Sequence, residues 1–262
     1  MTTDKSTTDS DQYLKKKAFF NQLITVYGRK PVLEVLQDRT IDIFRLHLAD
    51  TNRNGGIIDQ ITSMAAKRKI EVRHHNRSQL SRISRNSKQD QGVACDIHCS
   101  GYQDFDQGLK ALGEEIPNTL IAVDGVTNPQ NLGMIIRSVA ASPCAALVLP
   151  SKGVAEISPL VIKASAGNVF KATILRCDNL RSALLQLKQR GYLVAILSSH
   201  NATPLSQMPK NRSLIYVLGN ESEGVSSDIA DLADLRAVIP MSNGVESLNV
   251  AVTAALVAFS RL

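Results

Sequence analysis

Residues 120–133 read LIAVDGVTNPQNLG, which is a run of apolar residues, a polar turn and the start of a helix. The apolar run predicts a buried strand, Leu120–Val123, because parallel strands covered on both faces are apolar throughout. The Asn-Pro pair of the turn predicts a helix N-terminus, with the helix at Asn131–Ala141. Strands are also predicted at Ala145–Leu149, Val169–Ile174, Tyr192–Ile196, Leu214–Leu218 and Ala237–Ile239. Strands that alternate with helices in this way favour an α/β domain with a parallel sheet over residues 118–262.

The N-terminal part of the chain shows a weaker form of the same pattern. Short apolar runs over residues 22–100 predict a small α/β domain. Its predicted strands are Ile43–Leu48, Ile70–Arg73 and Gly92–Ile97, and its predicted helices are Pro31–Leu36 and Ile57–Lys69. Residues 1–21 are polar and predict a disordered tail. Residues 101–117 combine glycines and a proline with acidic residues, which predicts a linker between the two domains.

Positive charge is concentrated in the N-terminal third of the chain. The 262 residues carry a net charge of +6, with +7 in residues 1–90 and +1 in residues 111–262. Residues 67–88 hold eight Lys and Arg side chains against a single acid, Glu71. This density is typical of a surface that contacts phosphates, and a solvated face is the alternative interpretation. The charge distribution therefore predicts an acidic polymer as partner. The side chains expected to contact it are Arg29, Arg77, Arg82 and Arg85.

Several classes of protein are disfavoured by the composition. Four scattered cysteines are too few for a disulfide framework, so reduced thiols are expected. No apolar run approaches the roughly 18 residues that span a bilayer, and the N-terminus is polar. Cys95, His98 and Cys99 are close in sequence but lack a fourth metal ligand nearby. The sequence therefore predicts a cytoplasmic protein with no membrane partner and no metal.

Polar loops follow three of the predicted strands, where open parallel sheets usually bind their ligands. The first loop leads into a helix that carries Arg137 on an otherwise apolar face, although a plain helix N-terminus is the alternative. The second loop, Gly219–Gly224, lacks the Lys-Ser/Thr pair of a P-loop and could be a turn with surface acids. The third loop, Pro240–Asn249, opens into an apolar helix that Ser247 or Asn249 could cap.

Taken together, the three loops resemble the catalytic domain of the SpoU (TrmH-type) branch of the SPOUT RNA methyltransferases. The resemblance lies in Asn128-Pro-Gln-Asn-Leu-Gly with Arg137, in Gly219-Asn-Glu-Ser-Glu-Gly224, and in Ile239-Pro-Met with Ser247-Leu-Asn249. Each motif is weakly specific, whereas the ordered triplet is specific. Residues 23–100 are similar, more loosely, to the ribosomal-protein-like substrate-binding domain of the 23S rRNA ribose methyltransferases, through Val26-Tyr-Gly28 and Gln91-Gly-Val93.

The resemblance implies a C-terminal trefoil knot that binds S-adenosylmethionine, a metal-free transfer of its methyl group to an RNA ribose 2′-hydroxyl, and a homodimer formed through the C-terminal domain. The residues implied to bind the methyl donor are Gly219, Asn220, Ile239, Met241 and Leu248. The residues implied to act in the transfer are Asn131, Arg137, Glu221, Ser247 and Asn249. Because the pKa of arginine is above about 12, Arg137 is a poor general base on its own.

We therefore expect a ribose 2′-O-methyltransferase that acts on 23S rRNA. A tRNA ribose methyltransferase is an alternative, although the separate N-terminal domain is less expected there. A catalytically silent RNA-binding or ribosome-assembly factor is another alternative. The three motifs, which are present with all five candidate side chains, argue against it.

Overall fold

A computed structural model of the protein describes residues 19–20, 22–53, 55–112, 118–198, 202–220 and 223–261. The tail predicted to be disordered, 1–21, lies outside the described residues except for Phe19 and Phe20. The ring of Phe19 packs edge-on against the ring of Phe44, with centroids 5.0 Å apart. Within the described part of the chain, no helix combines the length and apolarity needed to cross a bilayer.

The N-terminal domain is a four-stranded sheet in the order β1-β4-β2-β3, in which only β2 and β3 are parallel. Its strands are Leu23–Tyr27 (β1), Ile43–Ala49 (β2), Glu71–His75 (β3) and Val93–His98 (β4). Its helices are Arg29–Gln37 (α1), Ile57–Lys67 (α2) and Arg77–Ser84 (α3). Because strand side chains alternate, Val26 joins the core under α1 and α2, whereas its neighbour Tyr27 packs with Leu80 of α3 on the other face.

The C-terminal domain is an eight-stranded, wholly parallel sheet in the order β10-β12-β9-β11-β6-β7-β8-β5. The strands are Tyr102–Asp104 (β5), Thr119–Val123 (β6), Ala146–Pro150 (β7), Ile174–Cys177 (β8), Leu193–Leu197 (β9), Thr203–Pro204 (β10), Leu214–Leu218 (β11) and Leu235–Val238 (β12). The helices are Phe105–Ala111 (α4), Pro129–Ala141 (α5), Pro159–Ala164 (α6), Leu180–Gln189 (α7), Ser227–Ala230 (α8) and Val250–Ala258 (α9).

Two apolar cores cover the two faces of the parallel sheet. Residues of α5, α6 and α9 pack on one face, and residues of α4, α7 and α8 pack on the other. The strands β6, β7 and β11 are buried along their whole length. This double burial explains their uninterrupted apolar sequences, and the predicted α/β class with a parallel sheet is confirmed. The trefoil knot is a matter of chain threading and stays a prediction.

Two segments differ from the sequence-based expectation. The predicted strand Val169–Ile174 is instead a 3₁₀ turn, Asn168–Phe170, and the strand begins only at its last residue, Ile174. Val169 is buried in the core from within that turn, so its apolar character reflects packing rather than strand pairing.

The predicted linker 101–117 is also wrong over its described part. Tyr102–Asp104 pairs in parallel with β8 at the edge of the large sheet, and helix α4 follows it. The Asp104 side chain accepts a hydrogen bond from the Asp106 amide and so caps α4. Only Phe105, Gly108 and Leu109 of this helix are buried, so its sequence shows no long apolar run.

Candidate functional site

A cavity of about 370 Å³ opens at the carboxyl ends of β9, β11 and β12. Because all these strands are parallel, the loops that follow them meet at one edge of the sheet. The volume is within the usual range of small-molecule sites. Apolar side chains, including Leu197, Leu218 and Val250, form much of the wall, and backbone of the second and third loops forms the rest.

All five residues predicted to bind the methyl donor line this cavity: Gly219, Asn220, Ile239, Met241 and Leu248. Ser247, predicted to act in the transfer, lines it as well. Sequence reasoning missed Leu197 and Ser198, which follow β9 and also line the cavity. Their position just after a predicted strand could have identified them, because the residues that follow parallel strands all lie at the same edge of the sheet.

The two ends of the second loop lie so close together that only glycine fits at its start. A Cβ atom on Gly219 would lie 2.1 Å from the carbonyl carbon of Gly224. Asn220 and Gly224 exchange two backbone hydrogen bonds of 2.9 Å, which close the loop. The Asn220 side chain donates to the Gly125 carbonyl at 3.0 Å. The second loop is therefore fixed to the first, and its backbone polar groups are held at the cavity.

A pair of asparagines joins the first loop to the third. The Asn249 amide nitrogen donates to the Asn131 side-chain oxygen at 3.2 Å. The Asn249 oxygen also accepts from the Ala251 amide at 2.9 Å, so this residue caps α9 as one sequence interpretation suggested. Asn131 is only 5% exposed, and it shares a small cavity of about 30 Å³ with Asn220. The polar residues at 131, 220 and 249 are thus gathered beside the larger cavity.

The other two residues predicted to act in the transfer have different outcomes. Glu221 lies outside the described residues. Arg137 is exposed on α5, does not line the cavity, and has no hydrogen-bond or ion-pair partner among the residues that the structure describes. A single chain therefore does not bring the Arg137 guanidinium to the cavity.

Some arginines of the N-terminal domain are occupied by contacts within the domain. The Arg68 guanidinium donates to the carbonyls of Leu36, Asp38 and Ile41 at 2.9, 3.0 and 2.6 Å, which satisfies the C-terminal end of α1. The Arg29 side chain donates to the Gln91 carbonyl at 3.1 Å. These positive charges hold the fold and are less available to a partner.

The other basic side chains divide into paired and unpaired groups. Arg45 and Arg73 both hydrogen-bond to Glu71, and these bonds lower the pKa of that carboxyl. Arg77, Arg82 and Arg85 are exposed on α3 or at its C-terminal end, without a partner among the described residues. Of the four arginines predicted to contact an anionic partner, Arg77, Arg82 and Arg85 therefore remain available.

The cysteines are buried or half-buried thiols. Burial raises the pKa of Cys99 and Cys177 to about 12 and that of Cys144 to about 11, and it raises the pKa of Cys95 further. These thiols are protonated at neutral pH. Among the described residues, no three His, Cys, Asp or Glu side chains are grouped as metal ligands.

Comparison with known proteins identifies two matching families. The SpoU rRNA methylase family matches residues 118–259, and the family described as RNA 2′-O ribose methyltransferase substrate binding matches residues 25–103. A Staphylococcus haemolyticus protein assigned to the TrmH family of tRNA/rRNA methyltransferases is 32% identical over 90% of this chain and 94% of its own length. An uncharacterized tRNA/rRNA methyltransferase of Mycolicibacterium paratuberculosis is 31% identical over 89% of this chain and 75% of its own.

Two solved structures show a similar fold. The AdoMet-bound rRNA methyltransferase of Sinorhizobium meliloti superposes with a TM-score of 0.62 at 22% identity, covering 94% of this chain and 89% of its own. The SpoU methyltransferase AviRb of Streptomyces viridochromogenes, in complex with AdoMet, superposes with a TM-score of 0.63 at 17% identity, covering 96% and 92%. These similarities establish the fold of both domains together.

Proposed function

Because this chain belongs to the SpoU rRNA methylase family, a branch of the SPOUT methyltransferases, we propose that it transfers a methyl group from S-adenosylmethionine to a ribose 2′-hydroxyl of 23S rRNA. The observation that carries the proposal is the cavity at the carboxyl edge, which gathers six of the ten residues named for the methyl donor and the transfer. Asn131 and Asn249 adjoin it. The substrate-binding family match over residues 25–103 supports an RNA substrate.

The cavity fits the methyl donor in size and chemistry. A neutral adenine ring needs apolar walls with a few backbone donors and acceptors, and the cavity offers Leu197, Leu218 and Val250 beside the backbone of Gly219. Gly219 allows this backbone to lie against that of Gly224, where a Cβ atom would not fit. When bound, S-adenosylmethionine supplies an electrophilic methyl group on a sulfonium. The protein residues must then position the ribose, and the proton of its hydroxyl passes to solvent water.

The asparagine pair and Arg137 have distinct roles in this proposal. Asn131 and Asn249 fix the first and third loops against each other, which holds Ser247 at the cavity. Arg137 contacts the ribose or its neighbouring phosphate and stabilises the hydroxyl oxygen as its proton leaves. An arginine guanidinium has only donors, so it acts by charge and hydrogen bonding rather than as the proton acceptor.

In a homodimer, Arg137 of one copy could reach the cavity of the other copy. Helix α9 is apolar on all sides, which is typical of a helix covered all round. Its residues Val252 and Leu256 are nevertheless exposed, as is Met134 on the neighbouring α5. We infer that a second copy covers this surface and that Arg137, exposed on the same helix as Met134, contacts the substrate at the partner's cavity.

Methyl transfer to separated RNA pools tests the proposal. The protein is incubated with labelled S-adenosylmethionine and with 23S rRNA, 16S rRNA or tRNA from cells that lack its gene. We expect label in 23S rRNA only, at one nucleotide whose 3′ linkage resists alkaline hydrolysis, because a methylated 2′-oxygen cannot attack the phosphate. Label in tRNA would support the proposed methyl transfer but would identify tRNA, instead of 23S rRNA, as the substrate. Label on an alkali-sensitive nucleotide would indicate base methylation and overturn the proposed reaction.

A further inference from the structure

A second and larger cavity, of about 550 Å³, lies between the two domains, and we call it the interdomain cleft. One wall is formed by β1 and the C-terminal end of α3 in the N-terminal domain. The other wall is formed by the end of β7 and the segment after it, within residues 149–158, and by Arg176 of β8. The cleft is distinct from the cavity assigned to the methyl donor, with which it shares no lining residue.

Three guanidinium groups from two domains line this cleft: Arg82, Arg85 and Arg176. None of the three forms an ion pair within the described residues. Arg176 lies over the ring of Tyr102, with its guanidinium carbon 5.5 Å from the ring centre. Because arginine binds phosphate through a planar fork of N–H groups, three arginines left unpaired around one cleft fit a phosphate-bearing ligand.

The acids in the cleft do not cancel this charge. Asp96 accepts a hydrogen bond from Thr25 at 2.7 Å and contacts the buried His47 ring at 3.0 Å, so both of its oxygens are already engaged. Glu156 is exposed on the opposite wall. Three arginines against the two carboxylates of Asp96 and Glu156 leave the lining of the cleft with a formal charge of +1.

The cleft and the methyl-donor cavity lie along the same edge of the parallel sheet. The cleft meets the carboxyl ends of β7 and β8, and the cavity meets those of β9, β11 and β12. In the strand order, β11 is two strands from β7 and three from β8. With neighbouring strands about 4.8 Å apart, the nearest strands of the two sites are roughly 10 to 15 Å from each other. One nucleic-acid strand can therefore occupy both.

We propose, on the basis of the proposed function, that the interdomain cleft binds the phosphodiester backbone of the substrate RNA beside the nucleotide to be methylated. Arg82 and Arg85 contact the strand from the N-terminal domain, and Arg176 contacts it from the methylase domain. These contacts position the strand and carry no sequence information. Arg176 is thus an RNA-binding residue in the domain whose sequence shows little excess of positive charge.

The salt dependence of RNA binding tests the proposal. 23S rRNA from cells that lack the gene is titrated with the protein at several salt concentrations. We expect Arg176→Ala to weaken binding about ten-fold and to reduce the slope of log affinity against log salt concentration by about 0.7 per lost phosphate contact. Arg82→Ala with Arg85→Ala should reduce the slope by about twice as much. Arg176→Lys, which keeps the charge and the fold, should retain most of the slope.

Matched controls are Arg236→Ala, on β12 at the far side of the large sheet, and Arg39→Ala, which follows α1 on the face opposite α3. Both residues are exposed and lie outside the cleft. The proposal would be overturned if the cleft variants had the same RNA affinity and the same salt dependence as the controls, even if the wild type methylates RNA. If the wild type binds RNA through the cleft but methylates none of the pools, the proposed function fails, and only the contact between the cleft and RNA stands.

Discussion

Asn249 illustrates how one side chain serves both the fold and the candidate site. Its oxygen caps α9 and its nitrogen reaches Asn131, 118 residues away in sequence. The cap was predictable from an asparagine before an apolar helix. The partner was not, because a hydrogen bond between distant loops has no sequence signature in a single chain. The same limit applies to Arg68, which lies in the basic run expected to contact phosphates but donates to four backbone carbonyls of its own domain.

We predict that Asn249→Ala lowers the free energy of unfolding by about 1 to 2 kcal/mol, since it removes a helix cap and a contact to a buried amide. It should also reduce methyl transfer. Asn179→Ala is the matched control, because Asn179 caps α7 through the Ser182 amide away from the cavity. Chemical denaturation and initial-rate measurements compare the two. Equal losses of activity in both variants would mean that Asn249 acts on stability alone.

Arg137→Ala should abolish methyl transfer and leave the affinity for S-adenosylmethionine within a few-fold of the wild type. The reason is that Arg137 does not line the methyl-donor cavity, whereas the proposal places it at the ribose. Isothermal titration gives the affinity, and labelled transfer to RNA gives the turnover. Near-normal turnover would remove Arg137 from the proposed reaction.

Among the elements, long apolar strands were predictable and the sheet-edge elements were not. Leu120–Val123 and Leu214–Leu218 are buried on both faces, so burial alone accounts for their sequences. In α4 only the side chains of Phe105 and Leu109 are buried, and β5 has no fully buried residue, so the sequence of this segment resembles that of a linker. Edge elements need fewer apolar residues, so periodicity detects them poorly.

Substitution in α4 measures what this edge contributes. Phe105 is 4% exposed and packs with the core on one face of the parallel sheet. We expect Phe105→Ala to lower the free energy of unfolding by about 3 to 5 kcal/mol, as is usual for a buried phenylalanine. The same substitution in an exposed linker would leave the free energy of unfolding almost unchanged. Urea denaturation of the full-length protein distinguishes the two, with Gln107→Ala on the exposed side of α4 as the control.

For the molecule as a whole, the surface of α5 and α9 determines the predicted oligomeric state. Leu256 on α9 and Leu185 on α7 are similarly exposed, at 44% and 42%, but they belong to helices on opposite faces of the sheet. Leu256→Glu should shift the protein from dimer to monomer in analytical ultracentrifugation and reduce turnover, because it places a charge in the proposed apolar interface. Leu185→Glu should leave both unchanged. A wild type that sediments as a monomer would contradict the dimer.

The connection between the two sheets is only three residues long, since β4 ends at His98 and β5 begins at Tyr102. A Cβ atom on Gly101 would lie 2.5 Å from the Ala172 carbonyl oxygen, so this connection is packed against the methylase domain. The match to the methylase family begins only at residue 118. The match to the methylase family and the large parallel sheet therefore start at different residues. An exchange of N-terminal domains between such proteins keeps the large sheet whole only when the crossover falls before Tyr102, which limits how new RNA specificities arise by recombination.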